Sequence, residues 1–499
     1  MHAGSHSDEA RDDKIAPRME APSHRWTSDV RSGRRLALAA ITVAVAIGAG
    51  CGEGSPGAIA ARIIVRYQGV SGSKPLTAGG MIRIRLSSSG GAGPRSGTSE
   101  ILWEPRRYRE TVSSAGWTTV RGIELGKAYF IDEDGVTRVV SDPALWELTT
   151  RSYFWRRAWL FRDRGGARLS LGPADDASVS VELKPPGGRP LMLTFSRRDG
   201  RLLSARSPRF HLEFASPTQF RDVSDPRRPI TGEVGWIGLP TGRMPNPTAG
   251  GGRAEFGEAS SRVPFERAAG GPLVSARILR EPARLAIDAA VSGPVRISPA
   301  LAARLPLSFE TDVYGRAVAA GASLEVGSVR YPSLFVQRSE DIPAGADAAA
   351  GGCLFREAVV ELDPGPRRIG LHDPDRWAVP EAFVRVAIDD DGDLPVAILD
   401  RGSQAVRLTA GTDTGEAALL LASESAARIG LDRQTDAEGM FWGALKLPAL
   451  PLKVSEQEFF PDWGDDGRLG FSLLLRFHAY VQMPQRWIYL RPAGSPEAR

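Results

Sequence analysis

From Val263 onward the sequence carries one pattern twice, and this repeat constrains the fold more than any other feature. In the first copy, residues 283–288 read Ala-Arg-Leu-Ala-Ile-Asp, and residues 298–307 have a short helical pattern. In the second copy, residues 406–410 and 422–431 repeat these segments. Each copy ends with an apolar glycine-containing segment and two strand-like runs around a proline turn, at residues 351–371 and 469–490. An internal duplication in units of about a hundred residues predicts two similarly folded lobes.

Turn-forming residues are frequent along the whole chain. The 499 residues include 55 Gly and 37 Pro, spread over many short apolar runs, and this pattern favours a mainly β protein. A chain of this length is too long for one hydrophobic core, so we expect several domains. The predicted lobes span residues 261–378 and 379–495, with short helices at 299–304 and 423–428. Residues 241–260, rich in Gly and Pro, are expected to be a linker.

Residues 59–240 have the pattern of an antiparallel sheet packed on one helix. Strands are predicted at Ile63–Tyr67, Met81–Leu86, Ala128–Ile131, Val179–Leu183 and Leu191–Phe195. A longer helical pattern at 143–161 carries Trp146, Phe154, Trp155, Trp159 and Leu160. In pattern and domain order, this stretch resembles the sheet-plus-helix domain of periplasmic lipoprotein carriers. The helix aromatics then either line a lipid or peptide cleft or form a packed core.

The first fifty residues are typical of a signal segment. Arginines precede the apolar stretch 36–49, which is too short for a bilayer of about 30 Å but suits a signal peptide. Small residues before Cys51 resemble the bacterial lipobox, which implies acylation of Cys51 and a tether at 51–58. Gly52 then favours the outer over the inner membrane, with the protein facing the periplasm. The alternatives are ordinary secretion with a cut nearby, and translation starting at Met19.

Composition also indicates what to exclude. The net charge is +4, but the arginines are interleaved with acids and form no basic stripe, so no nucleic-acid partner is expected. Two cysteines and six scattered histidines have no metal-site spacing, so we expect no metal and no other cofactor. If Cys51 carries lipid, Cys353 has no disulfide partner.

The tripeptide Asp413-Thr414-Gly415 lies between two apolar runs of the second copy. With the duplication, it resembles the retropepsin-like aspartic peptidases, and the two lobes resemble the bilobal pepsin arrangement over about residues 261–495. The resemblance implies a catalytic dyad of Asp288 and Asp413. Two close carboxylates share one proton, so that one activates water while the other donates a proton to the scissile carbonyl. Thr414, Gly415 and Ser292 would support the two turns, and Tyr314 would lie on a flap.

The sequence departs from that family at both turns. Asp288 is followed by Ala289-Ala290-Val291, and Glu416 adds a third carboxylate beside the second turn. Asp288 lies four residues after Arg284, whereas Asp413 lies six after Arg407. Either the second copy has a bulge before its turn, or Gly411 holds the aspartate position.

Three functions remain open from the sequence. The leading hypothesis is an aspartic-type endopeptidase of the cell envelope that acts on a peptide or protein substrate. Because both lobes lie in one chain, a monomer suffices. The first alternative is an inactive peptidase-like binding or scaffolding lipoprotein. The second is a lipid or lipoprotein carrier, which predicts a hydrophobic cavity between the N-terminal sheet and the helix at 146–160.

Overall fold

The computed structural model describes most of the chain after residue 54. The described residues are 55–76, 79–90, 93–140, 142–225, 229–238, 254–268, 271–289, 291, 293–391, 394–412, 417–455 and 466–493. Cys51, Ser292 and the stretch from Asp413 to Glu416 lie outside these ranges. In the described part, no helix combines the length and apolar character needed to cross a bilayer. The predicted fold class is confirmed, because the protein is mainly β with few helices.

The first sheet contains thirteen antiparallel strands. In chain order they are β1 Gly80–Gly90, β2 Gly93–Glu104, β3 Arg107–Ser114, β4 Trp117–Glu124, β5 Lys127–Ile131, β6 Thr137–Val139, β7 Arg168–Ala174, β8 Ser178–Lys184, β9 Leu191–Ser196, β10 Leu202–Ser207, β11 Phe210–Phe214, β12 Gln219–Asp222 and β13 Ile230–Gly238. Across the sheet the strands run from β6 down to β1, then from β13 down to β7. Nearly every neighbouring pair is a hairpin, and β1 with β13 closes the chain onto itself.

In the described part of the chain, two α-helices accompany this sheet, one more than the sequence predicts. They are α1 Pro56–Ser71 and α2 Asp142–Trp155. The predicted strand Ile63–Tyr67 is wrong, since it lies inside α1. The helix buries Ala60, Ile64 and Tyr67, whose spacing of four and three residues places them on one helical face. Pro56 begins the helix at a position where its missing N–H costs nothing, and Gly72, with φ of 61°, ends it.

The second half of the chain contains the two copies. The first copy contains β14 Glu255–Phe256, β15 Ser260–Ala268, β16 Gly271–Ile278, β17 Glu281–Ile287, β18 Val295–Ile297, α3 Pro299–Ala302, β19 Glu310–Thr311, β20 Ala317–Val326, β21 Val329–Arg338, β22 Ala348–Ala350, α4 Gly352–Glu357, β23 Val359–Asp363 and β24 Arg368–His372. The second contains β25 Val384–Ala387, β26 Asp389–Asp391, β27 Leu394–Arg401, β28 Gln404–Thr412, β29 Leu419–Ala422, α5 Ser423–Arg428, β30 Asp436–Ala437, β31 Phe441–Trp442, β32 Leu445–Lys446, β33 Leu450–Ser455, β34 Gly467–Gly470, α6 Phe471–Leu474, β35 Phe477–Gln482 and β36 Trp487–Pro492.

Both copies use the same strand pairing. Strand β17 pairs in parallel with β22, and β28 pairs in parallel with β34. The short strand after each turn, β18 or β29, is antiparallel to β22 or β34 and parallel to β21 or β33. One short helix follows each parallel pair, because α4 begins after β22 and α6 after β34. The repeat in sequence therefore corresponds to a repeat in topology.

The ends of the two copies join in one sheet. Strands β15, β24 and β23 continue through β35 and β36 to β25, and the junction is the antiparallel pair β23–β35. At this junction Glu361 is buried and accepts hydrogen bonds from Tyr480 and Arg262, at 3.0 Å each, and lies 2.9 Å from His372 Nε2 and 2.7 Å from His478 Nε2. Burial raises the pKa of this carboxyl, but these bonds and the Arg262 charge outweigh that effect and hold it well below its usual range.

The first sheet also contacts the first copy. The loop between β5 and β6 places Asp132 2.8 Å from the Arg356 guanidinium, and Asp134 accepts a 2.8 Å hydrogen bond from the Phe335 N–H. Buried acids thus meet a buried arginine where the sheet and the first copy touch. Cys353 beside them is buried and free, and burial raises its thiol pKa to about 12, which makes it unreactive at neutral pH.

Candidate functional site

Asp288 is the predicted site residue that the structure describes most directly. It follows β17, its N–H donates to the Ala350 carbonyl at 2.9 Å, and its own carbonyl accepts from the Val291 N–H at 2.9 Å. Gly351 packs against this turn so tightly that a Cβ there would lie 1.8 Å from the Asp288 carbonyl oxygen. The Asp288 side chain is half-buried. The turn is therefore held by backbone packing on β22.

In the second copy the strand before the turn is irregular at Gly411, and Asp413 lies outside the described residues. Ile287 lies opposite Ala350 in the first copy, and Ala410 lies opposite Leu469 in the second. The next ladder partner of the second copy is Thr412, so Gly411 is an irregularity in the strand, with φ of 74°. A Cβ on Gly411 would lie 2.6 Å from the Cβ of Ala289, so the two turns meet there. In the described parts of the turns, the methyl group of Ala289 thus meets Gly411, and neither residue has a hydroxyl group that could form a hydrogen bond between the turns.

Tyr314 lies against the first sheet. Its ring stacks on Trp117 of β4 at 6.0 Å between centroids, and the Arg316 guanidinium lies over both rings, at 5.1 Å from Trp117 and 5.4 Å from Tyr314. Burial raises the pKa of the Tyr314 hydroxyl. The first sheet, rather than an open cleft, surrounds this side chain.

One cluster has the spacing of a metal site. Ligand atoms of Glu361, Asp363 and His478 lie within 4.8 Å of one another. Both Glu361 oxygens already have hydrogen-bonding partners, and the Arg262 cation is one of them. We therefore interpret the cluster as the joint between the copies.

The cavity that the carrier hypothesis requires lies between the helices and the first sheet. It has a volume of about 360 Å³, within the roughly 300–1,000 Å³ typical of small-molecule sites. Its lining is mostly apolar and aromatic, with polar groups among the remainder: Tyr67, Val70, Ser71, Ile82, Phe154, Trp155, Arg157, Trp159, Asp199, Arg201, Leu202, Phe214, Ala215, Ser216, Pro217, Val234 and Ile237.

The C-terminal end of α2 supplies the aromatic wall. The Phe154 ring lies 5.7 Å from Phe210 and 6.2 Å from Phe214, and the Trp155 ring lies 5.7 Å from Phe220. These rings fix the helix end against β11 and β12 through aromatic packing. At Arg157 the backbone takes a left-handed φ of 52°, which ends the helical path before the predicted end at 161.

The turn after α2 joins this wall to α1. Trp159 is 2% exposed, and its ring lies 5.2 Å from Tyr67 of α1 and 6.2 Å from Phe195 of β9. The Gln68 amide donates to the Leu160 carbonyl at 2.9 Å and fixes α1 to the same turn. A rigid aromatic floor therefore forms where the two helices and the sheet meet.

The mouth of the cavity is more polar and more exposed to solvent than its floor. Val70 near the end of α1 is 58% exposed, and Arg201 pairs with Asp199 at 3.5 Å. Among the described residues, the lining includes no cysteine or histidine. The chemistry of these walls suits reversible binding of an apolar group.

Sequence reasoning identified part of this site. Phe154, Trp155 and Trp159 belong to the predicted aromatic pattern, whereas Trp146 of that pattern is 42% exposed and Leu160 is buried without lining the cavity. Tyr67 and Val70 were missed, because the run Ile63–Tyr67 was assigned to a strand. The helical spacing of Ala60, Ile64 and Tyr67 was the signal that could have placed them on α1.

No protein-family model matches the sequence, and no curated protein matches it. Among solved structures, a DUF1329 family protein from Desulfovibrio piger is 12% identical; the match covers 38% of this chain and 95% of that one, with a TM-score of 0.25. A putative outer membrane lipoprotein-sorting protein domain from Vibrio parahaemolyticus is 9% identical, covering 38% and 93%, with a TM-score of 0.25. An aspartic proteinase from Irpex lacteus is 12% identical, covering 48% and 99%, with a TM-score of 0.32. At such TM-scores these likenesses carry no argument about function.

The expected membership of the retropepsin-like aspartic peptidase family is wrong, and so are the protease and hydrolase functions attached to it. The matching structures are mainly lipoprotein-sorting and MucB folds, and the aspartic proteinase match, at 12% identity and a TM-score of 0.32, does not support membership of that family. The repeat that carried the resemblance corresponds to strand pairing that recurs in both copies, and strand pairing by itself requires no catalytic arrangement.

Proposed function

We propose that this protein binds and carries an acyl chain, of a lipid or of a lipoprotein, in the aromatic cavity of its first sheet. The observation that supports this function is the cavity of about 360 Å³ between α1, the end of α2 and the sheet. Its aromatic floor is prearranged by ring contacts, so a ligand enters without the cost of ordering the walls.

The strength of such binding suits a carrier. Each methylene removed from water contributes about 0.8 kcal/mol, so burying about six methylenes contributes about 5 kcal/mol before the cost of immobilising the ligand. An affinity of that size is reversible, as it is for a single acyl chain in a membrane. A carrier must release its cargo, and a mostly apolar cavity of this size allows release.

The leader segment supports a location in the cell envelope. An apolar stretch at 36–49 followed by Cys51 favours export, acylation of Cys51 and attachment to the outer membrane on its periplasmic side. An anchored carrier would meet lipids and lipoproteins at the membrane, so we propose these as its partners. Export can be checked by cell fractionation, and acylation by labelling wild type and Cys51→Ala with a radioactive fatty acid.

The binding test uses two valines of α1 that differ in position only. Val65 and Val70 are both 58% exposed, but only Val70 lines the cavity. The probe is N-phenylnaphthylamine, an uncharged fluorophore whose emission rises in apolar surroundings. We expect the wild type and Val65→Glu to bind it equally, and Val70→Glu to bind it at least tenfold more weakly, because a carboxylate at the mouth must lose water when the probe enters.

Unfolding curves of the three proteins provide the control for folding. Equal probe binding by all three folded proteins, or no binding by the wild type, would refute the proposed cavity function.

A further inference from the structure

A second cavity lies near the same helix end. It has a volume of about 680 Å³ and lies between the β2–β3 turn, the β4–β5 turn and the C-terminal half of α2. Neighbouring residues of α2 line different cavities, since Tyr153 and Arg156 line the second and Phe154 and Trp155 line the first. The apolar part of its wall comprises Pro105, Tyr108, Ile123, Leu125, Tyr153, Ala158, Phe161, Pro185 and Pro186.

Arg156 is the unusual residue of this wall. Its guanidinium is half-buried, and its Nε is fully buried with no hydrogen-bond acceptor. Within the described ranges, its side chain has neither a hydrogen bond nor an ion pair. Burial lowers the pKa of this group, yet an arginine stays protonated in a protein. A partly buried cation without a counter-charge carries a desolvation cost, and an anionic partner would offset that cost.

Two other arginines near Arg156 have partners within the protein. Arg107 lies 3.5 Å from Glu104 and 3.0 Å from Glu124, and Arg164 donates to the carbonyls of Trp159 and Phe161. The structure satisfies these groups internally, so the free guanidinium of Arg156 is available to a ligand.

The wall therefore has two chemical features. Arg106, Arg107 and Arg156 line the cavity, and Glu104 is the one acid among the described lining residues, so the charge favours an anion. A carboxylate or phosphate matches the planar fork of a guanidinium with two hydrogen bonds. The remaining wall is largely apolar, and it suits a hydrocarbon tail rather than a fully hydrated anion.

We propose that this second cavity binds an anionic amphiphile, with Arg156 holding its carboxylate or phosphate headgroup and the apolar wall holding its tail. This site is separate from the aromatic cavity of the proposed function. Its failure is distinguishable from failure of that function, because the first cavity is tested with an uncharged probe.

Calorimetric titration of the full chain tests the proposal with three ligands: dodecyl phosphate, inorganic phosphate and dodecanol. We expect dodecyl phosphate to bind the wild type, and inorganic phosphate to bind at least tenfold more weakly because it lacks the tail. Arg156→Met removes a charge-assisted pair and should weaken dodecyl phosphate binding about tenfold or more, with dodecanol binding unchanged. Arg162→Met is the matched control, since Arg162 is exposed and lines neither cavity.

A second variant covers the case in which Arg156→Met does not fold. Leu125 is 75% exposed at the tip of the β4–β5 turn, so Leu125→Glu should fold and still weaken dodecyl phosphate binding by repulsion. Val70→Glu affects only the first cavity, so Arg156→Met should weaken dodecyl phosphate binding by the same factor in the Val70→Glu background as in the wild type. Three results would overturn the proposal: wild-type affinity in folded Arg156→Met or in Leu125→Glu, equal weakening by Arg162→Met, or inorganic phosphate binding as tightly as dodecyl phosphate.

Discussion

The buried ion pair that attaches α2 to the first sheet offers the sharpest test of how the helix is positioned. Arg151 of α2 donates to both oxygens of Glu110 on β3, at 2.7 Å and 3.0 Å, and Arg121 approaches the same carboxylate at 3.3 Å. Both members of the Glu110–Arg151 pair are buried. We predict that Arg151→Met, which keeps the side-chain length but removes the charge, destabilises the protein by about 3 kcal/mol at pH 7.

The magnitude follows from the pKa of Glu110. Burial raises the pKa of this carboxyl, but attraction by Arg121 and Arg151 outweighs burial and lowers it from 4.5 to about 2. A difference of about 2.5 pKa units between unfolded and folded chains corresponds to about 3 kcal/mol. Because the folded pKa is the lower one, this stability is fully present above about pH 4.5 and is lost as the pH falls towards 2.

Urea unfolding at pH 7 and at pH 2.5 provides the assay. The difference in free energy of unfolding between wild type and Arg151→Met should shrink from about 3 kcal/mol at pH 7 to about 1 kcal/mol at pH 2.5, where little of the linkage remains. The double variant Glu110→Gln with Arg151→Met should recover part of the loss, since no unpaired charge stays buried. An equal destabilisation by Arg151→Met at both pH values would refute this account of the pair.

Two further predictions concern the Asp134 loop of the first sheet and the turn at Asp288. Burial and the neighbouring Asp132 raise the pKa of Asp134 to about 7, so wild-type stability should fall as the pH rises from about 4 through 7. Asp134→Asn keeps the acceptor for the Phe335 N–H and should raise the melting temperature at pH 8 more than at pH 5. Equal shifts at the two pH values would contradict this. Gly351→Ala places a Cβ 1.8 Å from the Asp288 carbonyl oxygen and should lower the free energy of unfolding in urea by about 3 kcal/mol or more. Gly69→Ala on α1, where the Cβ meets nothing within 4 Å, should be neutral or stabilising by up to about 1 kcal/mol. Comparable losses of stability in both variants would show that packing at the turn is not the cause.

Much of the strand content was predictable, because alternation and turn residues are local signals. The predicted strands Met81–Leu86, Ala128–Ile131, Val179–Leu183 and Leu191–Phe195 lie within β1, β5, β8 and β9. The helical pattern at 143–161 contains most of α2, but the helix ends earlier because Arg157 turns into a left-handed conformation. Helix α1 was missed, since its β-branched run Ile63–Ile64–Val65 has the composition of a strand.

The candidate site was predictable only in part. The aromatic residues near the end of α2 stand out as a pattern, but whether they line a cavity or pack solidly depends on residues far away in the chain, such as Tyr67 and Phe214. The free guanidinium of Arg156 had no sequence signal at all. Arg156, Arg157 and Arg162 look alike in sequence, and only the tertiary structure buries the Nε of Arg156 in the wall of a cavity while leaving Arg162 exposed.

By itself, the sequence determined the mainly β class, the duplicated plan of the second half and the aromatic character of the helix end. These properties follow from local periodicity and from repetition, which need no knowledge of distant contacts. Only the tertiary structure decided that the two turns meet at Ala289 and Gly411, that Tyr314 packs on the first sheet, and that two cavities lie near the end of α2. The physical reason is that a site consists of distances between groups remote in sequence, and folding alone sets those distances.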